Sequence, residues 1–239
     1  MTAMLASVRS LAEARIVLSA GVDLVDLKEP AAGALGALAV RSVRRIVRFV
    51  NGRTPVSATV GDLPCEAGPL DDAIARTAAC GVDLIKVGIF AGHLDDRALR
   101  AIGQHCASGR RIVLVFFAEF WSDGADFRRI RRAGVEGVML DTVDKQRGPL
   151  TRSVRRQVLQ SFVSGARQAG LLAGLAGSLR EADIGRLLPL QPDYLGFRGA
   201  LCAGGRRGGK IDPRAVCAIR NLLRGGMAAA GRGPARTAA

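Results

Sequence analysis

Ionisable side chains stand where a buried strand should carry none. In GVDLVDLKEP (21–30), apolar Val22, Leu24, Val25 and Leu27 are interleaved with Asp23, Asp26 and Lys28 before Pro30 stops the run. Burying such groups is costly unless they are paired or used. The pattern also repeats along the chain. AGVDLVDLK (20–28) returns as CGVDLIKVG (80–88), more loosely as AGVEGVMLD (133–141) and faintly as QPDYLGFRG (191–199). Each copy carries an acidic residue at the expected strand start: Asp23, Asp83, Glu136 and, by alignment, Asp193. For these the expected role is loop hydrogen bonding. Three residues on come Asp26, Lys86, Met139 and Gly196; five on come Lys28, Gly88, Asp141 and Arg198. Side chains alternate along a strand, so both sets share one face.

Taken alone, Asp26 and Lys28 read as a structural ion pair, and Lys86 as a strand-end residue with its head in water. Two lysines, two aspartates and an arginine on one face are a costly route to stability, which favours a chemical use. A lysine nucleophile must lose its proton, and a second cation nearby lowers its pKa. The neutral amine then forms a Schiff base with a carbonyl compound. The iminium acidifies the adjacent C–H, and a second amine can remove that proton. Lys28 and Lys86 are the expected catalytic pair, with Asp26, Asp141 and Lys145 as further polar groups of the site. No cofactor is required by this chemistry. The two histidines, His93 and His105, form no metal cluster, so no metal is expected.

The elements that must position these groups follow from the apolar pattern. Strands are expected at Met4–Val8, Leu24–Lys28, Val56–Val60, Leu84–Ile89, Ile112–Ala118, Gly137–Asp141, Leu171–Ala176 and Tyr194–Arg198. Helices are expected near 10–20, 39–50, 70–80, 95–107, 125–133, 150–169, 179–188 and 213–224. Eight alternating units predict an α/β fold, a single-domain (βα)8 TIM barrel over 1–224, with a disordered tail at 225–239. Charged groups on four strands can hardly all lie against the helix layer, so they point into the barrel near its C-terminal mouth, where barrel enzymes keep their chemistry.

The mouth also suggests what is bound. After strands 7 and 8, LAGSL and RGALCAGGRRGGK supply backbone amides with little side-chain bulk at the usual barrel phosphate site. Gly177, Ser178, Gly199, Gly204 and Gly205 are the expected phosphate contacts, with Arg198 as a cation for the anion. Thr59 and Asp62 are expected as further polar contacts of the mouth, and Lys145 is placed to reach it. His105 is expected to be structural and His93 to have a loop role.

Composition narrows the function classes. The chain has 239 residues, 49% hydrophobic and 23% charged, which excludes global disorder. No apolar run is long enough to span a bilayer and no signal-peptide pattern opens the chain, so a cytoplasmic protein without a membrane partner is expected. Five scattered cysteines show no C-x-x-C pair and are expected to be core residues. The net charge of +14 invites a nucleic-acid reading. The arginine clusters, however, fall at spacings suited to solvated helix faces, and aromatic residues for stacking are few. The expected partner is an anionic small molecule rather than nucleic acid, and a homo-oligomer is expected.

Six segments together carry a family resemblance: DLKEPAAGALGA (26–37), VSATVGD (56–62), DLIKVGI (83–89), MLDT (139–142) with Lys145, LAGSL (175–179) and RGALCAGGR (198–206). The chain, from about residue 4 to 224, resembles the (5-formylfuran-3-yl)methyl phosphate synthases, the first enzymes of methanofuran biosynthesis. The resemblance implies a carbon–oxygen lyase that condenses two molecules of glyceraldehyde 3-phosphate to a furan aldehyde phosphate. It implies that Lys28 is the Schiff-base lysine and Lys86 the proton acceptor. Asp26, Asp141 and Lys145 then match further active-site positions. The segment FFAEFWSDG (116–124) matches nothing in that pattern and leaves Glu119 and Trp121 without a role. The alternatives are a different Schiff-base (class I) aldolase for a phosphorylated aldehyde or ketose and, outside enzymes, a basic scaffold or nucleic-acid binder.

Overall fold

Apolar side chains on both sides of short strands, with helices between them, produce two separate cores. The computed structural model describes residues 1–90, 94–121 and 125–230. Its strands are β1 (Ala3–Val8), β2 (Leu24–Leu27), β3 (Val56–Thr59), β4 (Leu84–Ile89), β5 (Ile112–Phe117), β6 (Gly137–Asp141), β7 (Leu172–Leu175) and β8 (Tyr194–Phe197). They pair in parallel and in sequence order, and β8 closes on β1, forming a (βα)8 barrel. On β1, Met4, Ala6 and Val8 face the helix layer, whereas Leu5 joins Leu24, Leu84, Val113, Met139 and Tyr194 inside the barrel. The alternation seen in the sequence therefore sorts residues into an outer and an inner core.

The helices are α1 (Leu11–Ser19), α2 (Val40–Val50), α3 (Ala67–Ala78), α4 (Asp96–Ala107), α5 (Phe127–Arg132), α6 (Leu150–Ser153), α7 (Arg156–Gln168), α8 (Glu181–Leu187) and α9 (Pro213–Ala230). Polar caps set several starts: Ser10, Asp95 and Asp126 accept main-chain N–H bonds from the first turns of α1, α4 and α5. In α2, Val43, Ile46 and Val50 are buried while Arg41, Arg44, Arg45 and Arg48 are exposed, the solvated basic face that the spacing predicts.

Two helix boundaries differ from expectation. The helix expected over 150–169 is broken at Val154 and Arg155, both extended, into α6 and α7. The last helix does not stop at 224 but runs to Ala230, since Met227 and the alanines after it are strong helix formers. The rest of the expected tail, 231–239, and His93 lie outside the described residues. His105 is a buried residue of α4 facing Asp71.

The repeated glycine–acid pair has a structural function. Gly21, Gly81 and Gly134 have φ of +69°, +78° and +86°, and Gln191, at the aligned position of the fourth copy, has +56°. The acidic residue then ties each even strand to the strand before it. Asp23, Asp83 and Asp193 accept from the amides of Met4, Val56 and Ala173 at 2.8, 2.7 and 2.7 Å. Glu136, one methylene longer, instead bonds Arg111 at 2.9 Å.

Candidate active site

Register brings the polar interior together. Ser7, Asp26 and Ser57 are lateral neighbours on β1, β2 and β3, and Lys86 pairs with Thr59 one step higher. Asp26 is fully buried. Its carboxylate accepts from Ser7 Oγ at 2.8 Å, Ser57 Oγ at 2.7 Å and Lys86 Nζ at 3.0 Å. Burial pushes its pKa up, but Lys86, Lys28 and the two hydroxyls outweigh that effect and hold it below the usual carboxylate value.

A second pair lies at the end of β6. Lys145 Nζ donates to Asp141 Oδ1 and to the Thr142 carbonyl, while the Thr142 amide donates to Asp141 Oδ1 at 2.7 Å. Burial raises the Asp141 pKa, yet Lys145, Lys28 and these hydrogen bonds bring it down to about 2. Each of these two inward aspartates thus already has a lysine. Lys28, one residue past β2 and only 6% exposed, has no ion-pair partner among the described residues. Its Nζ lies 3.4 Å from the Ala34 carbonyl. Desolvation lowers its pKa to about 8, with Lys145 and Lys86 acting in the same direction and Asp141 and Asp26 opposing them. A neutral Lys28 leaves the interior as two balanced ion pairs and a free amine.

These groups open into a cavity of about 470 Å³ at the C-terminal mouth. Of the residues expected at the site, Lys28, Lys86, Asp141, Lys145, Gly177, Ser178, Arg198, Gly199, Gly204 and Gly205 line it. Asp26 does not. It is fully buried and meets the cavity only through its bond to Lys86. On the side where a phosphate is expected, Gly177 has φ +109°, and a Cβ there would meet the Thr142 amide nitrogen at 3.0 Å. Only glycine suits that turn.

Arg198 is placed differently from its expected role. Its guanidinium forms a bidentate pair with Glu13 of α1, at 2.6 and 3.1 Å, and donates its remaining N–H groups to the carbonyls of Ser7, Arg207 and Gly209. With all five donors occupied, it braces the segment after β8 and offers none to an anion. The cation that the same segment does present is Arg207. It lines the cavity, is anchored by one bond to the Gly33 carbonyl at 3.1 Å, and has a pKa lowered by desolvation.

Other residues that the sequence reading missed or left open also acquire positions. Ser7 and Ser57 hold Asp26, and the only signal for them was a hydroxyl at an inward strand position. Glu13 carried none, being a helix residue. Asp62 accepts from the amides of Ala34 and Leu35 at 2.8 and 2.6 Å, shaping the loop whose carbonyl meets Lys28. Thr59 donates to the Gly36 carbonyl of that loop at 3.0 Å. Glu119 accepts main-chain bonds from Val143 and Asp144. Trp121 packs in the outer core against Phe116, Phe127 and Phe162.

Comparison with known proteins joins this geometry to a family. The 4-HFC-P synthase family profile matches residues 4–220. The (5-formylfuran-3-yl)methyl phosphate synthase of Methanocaldococcus jannaschii is 32% identical over 225 residues, covering 89% of this chain and 95% of its own. That of Methanothermobacter thermautotrophicus is 34% identical over 228 residues, with 88% and 94% covered. A Methylorubrum extorquens relative reaches 42% over 225 residues, 93% of this chain and 92% of its own. Among solved structures, a 3-hexulose-6-phosphate synthase superposes with a TM-score of 0.63 at 17% identity, covering 91% and 99% of the two chains, a likeness of fold alone. No described helix is long and apolar enough to cross a membrane. Matched from the first strand to the last helix, and carrying the lysine–aspartate interior on that frame, the chain belongs to the (5-formylfuran-3-yl)methyl phosphate synthase family.

Proposed function

We propose that this enzyme condenses two molecules of glyceraldehyde 3-phosphate to (5-formylfuran-3-yl)methyl phosphate through an iminium at Lys28, releasing phosphate and water. The observation that carries the reading is the unpaired Lys28 beside two lysine–aspartate pairs. The Lys28 amine adds to the aldehyde carbon, and Lys86 gives a proton to the departing hydroxyl, so that water leaves and the iminium forms. Now neutral, Lys86 takes the proton from the adjacent carbon, giving the enamine. That carbon attacks the second aldehyde, and elimination of phosphate, ring closure and dehydration follow. Asp26 keeps Lys86 in place, and the Asp141–Lys145 pair keeps a cation beside Lys28. Gly177, Ser178, Gly199, Gly204 and Gly205 receive a substrate phosphate, with Arg207 as the cation in place of Arg198. The product serves methanofuran or a methanofuran-like one-carbon carrier.

Borohydride reduction in the presence of glyceraldehyde 3-phosphate, followed by peptide mass mapping, tests the covalent step. An adduct at Lys28 is expected, absent in Lys28→Ala, while the unreduced reaction releases inorganic phosphate and an ultraviolet-absorbing furan. An adduct on another lysine overturns the role of Lys28. An adduct without phosphate or furan identifies the enzyme as an aldolase for a different carbonyl compound.

A further inference from the structure

We propose that Glu119 is a positioning residue, a brace from the end of β5 that holds the segment after β6 so that the Asp141–Lys145 pair stays beside Lys28. Glu119 lies two residues past β5. Its Oε1 accepts from the Val143 and Asp144 amides at 2.9 and 3.0 Å, and its Oε2 from Val143 at 3.0 Å. These consecutive amides fall between Asp141 and Lys145. The segment from Thr142 to Pro149 has no helix or strand of its own. From the other side, Ser178 Oγ donates to the Lys145 carbonyl at 3.0 Å, and the Leu150 amide donates to the Gly177 carbonyl at 2.9 Å. The segment is thus gripped from β5 and from the loop after β7, and Glu119 is the β5 grip.

The role rests on the proposed use of Lys28 as the reacting amine. Lys28 is faced by Asp141 and Lys145 from β6 and its following segment, by Asp26 on its own strand and by Lys86 from β4, while Arg207 lies toward Asp141. If the grip is lost, the Lys145 cation moves off Asp141, and Asp141 is left to stabilise the Lys28 ammonium. Less free amine then remains at neutral pH. Glu119 is exposed, and its carboxylate contacts main-chain amides, so its reach matters and its charge does not.

Two substitutions separate reach from charge. Glu119→Gln keeps Oε1, which accepts from both amides, and gives up only the second bond to Val143 at Oε2; Glu119→Asp keeps the charge but is one methylene short. The measurement is the pH dependence of Lys28 methylation by formaldehyde and cyanoborohydride, followed on the Lys28 peptide by mass spectrometry, with thermal melting recorded for each variant. Formaldehyde reports the free amine whichever aldehyde is the substrate, so the outcome stands apart from failure of the triose reading. In Glu119→Asp the midpoint should rise by roughly one pH unit, about a tenfold loss of free amine at neutral pH, and in Glu119→Gln it should stay within about 0.3 unit of the parent. An unshifted midpoint in Glu119→Asp, or a shifted one in Glu119→Gln, overturns the proposal.

Discussion

Lys28 shows how a buried amine is left unpaired by what its neighbours have already committed to. Asp26 is held by Lys86, Ser7 and Ser57, and Asp141 by Lys145 and the Thr142 amide, so neither carboxylate is free to fix a third cation. The resulting pKa of about 8, against an ordinary 10.5, has a consequence for stability with a definite sign. Between those values the unfolded chain binds the proton that folded Lys28 has released, so stability rises with pH across that window. The contribution is on the order of 3 kcal/mol, absent below about pH 8 and complete above about 10.5. Denaturant unfolding of the parent and of Lys28→Met should therefore give stability curves that diverge over this range, the parent gaining relative to the variant. Parallel curves would mean that Lys28 is not held as an unpaired buried amine. Asp141, whose pKa is also lowered, acts in the same sense at acid pH: its stabilisation is present above about pH 4 and is lost as pH falls toward about 2.

At the scale of elements, the segment after β8 depends on a helix at the start of the chain. Arg198 and Glu13 are both buried, and their pair links this segment to α1. Removing one partner of such a pair leaves an uncompensated buried charge, so Glu13→Ala should cost about 3–5 kcal/mol in chemical denaturation. With a phosphorylated aldehyde as substrate, it should also raise KM by loosening Gly199, Gly204, Gly205 and Arg207, an effect Glu13→Gln should show more weakly. An unchanged KM in a destabilised Glu13→Ala would confine the pair to a structural role. The same residues show what the sequence could and could not convey. Strand parity placed Asp26, Lys28, Lys86 and Asp141 on one face, and all eight strands lie within one residue of their expected ends. Parity applies only while the chain stays a strand. β8 ends at Phe197, and Arg198, at φ −136° and ψ −66°, has left the strand conformation, so its aligned position no longer told where its side chain would go. Arg207, Glu13 and Glu119 lie on loops or a helix, outside the repeat, and their partners come from elsewhere in the chain. Ser7 and Ser57 were on regular strands, but a serine carries no sign of its own without the aspartate between them.

For the molecule as a whole, the charge of +14 is carried by outer helix faces, as on α2, and by lysines and arginines at the mouth. Such a field draws anionic ligands toward the cavity and is screened by salt. With a phosphorylated aldehyde as substrate, kcat/KM should fall roughly three- to tenfold as ionic strength rises from about 0.01 to 0.15 M, with kcat little changed. A kcat/KM indifferent to salt would show that the basic surface plays no part in substrate capture.

The inner core has a further consequence. Strands β1 to β4 turn Ser7, Asp26, Lys28, Ser57, Thr59 and Lys86 inward, whereas β5 to β8 contribute Val113, Val115, Phe117, Met139, Ala176 and Gly196, with Asp141 at the rim. Below the rim, the barrel therefore has one wall with charged side chains and one without, while Asp141 and Lys145 stand at the rim above the second. Under the proposed mechanism, a planar intermediate on Lys28 would meet Lys86 from the first wall and Met139 and Ala176 from the second. Handedness in proton removal would then arise from the order of the strands, before any substrate hydroxyl is recognised.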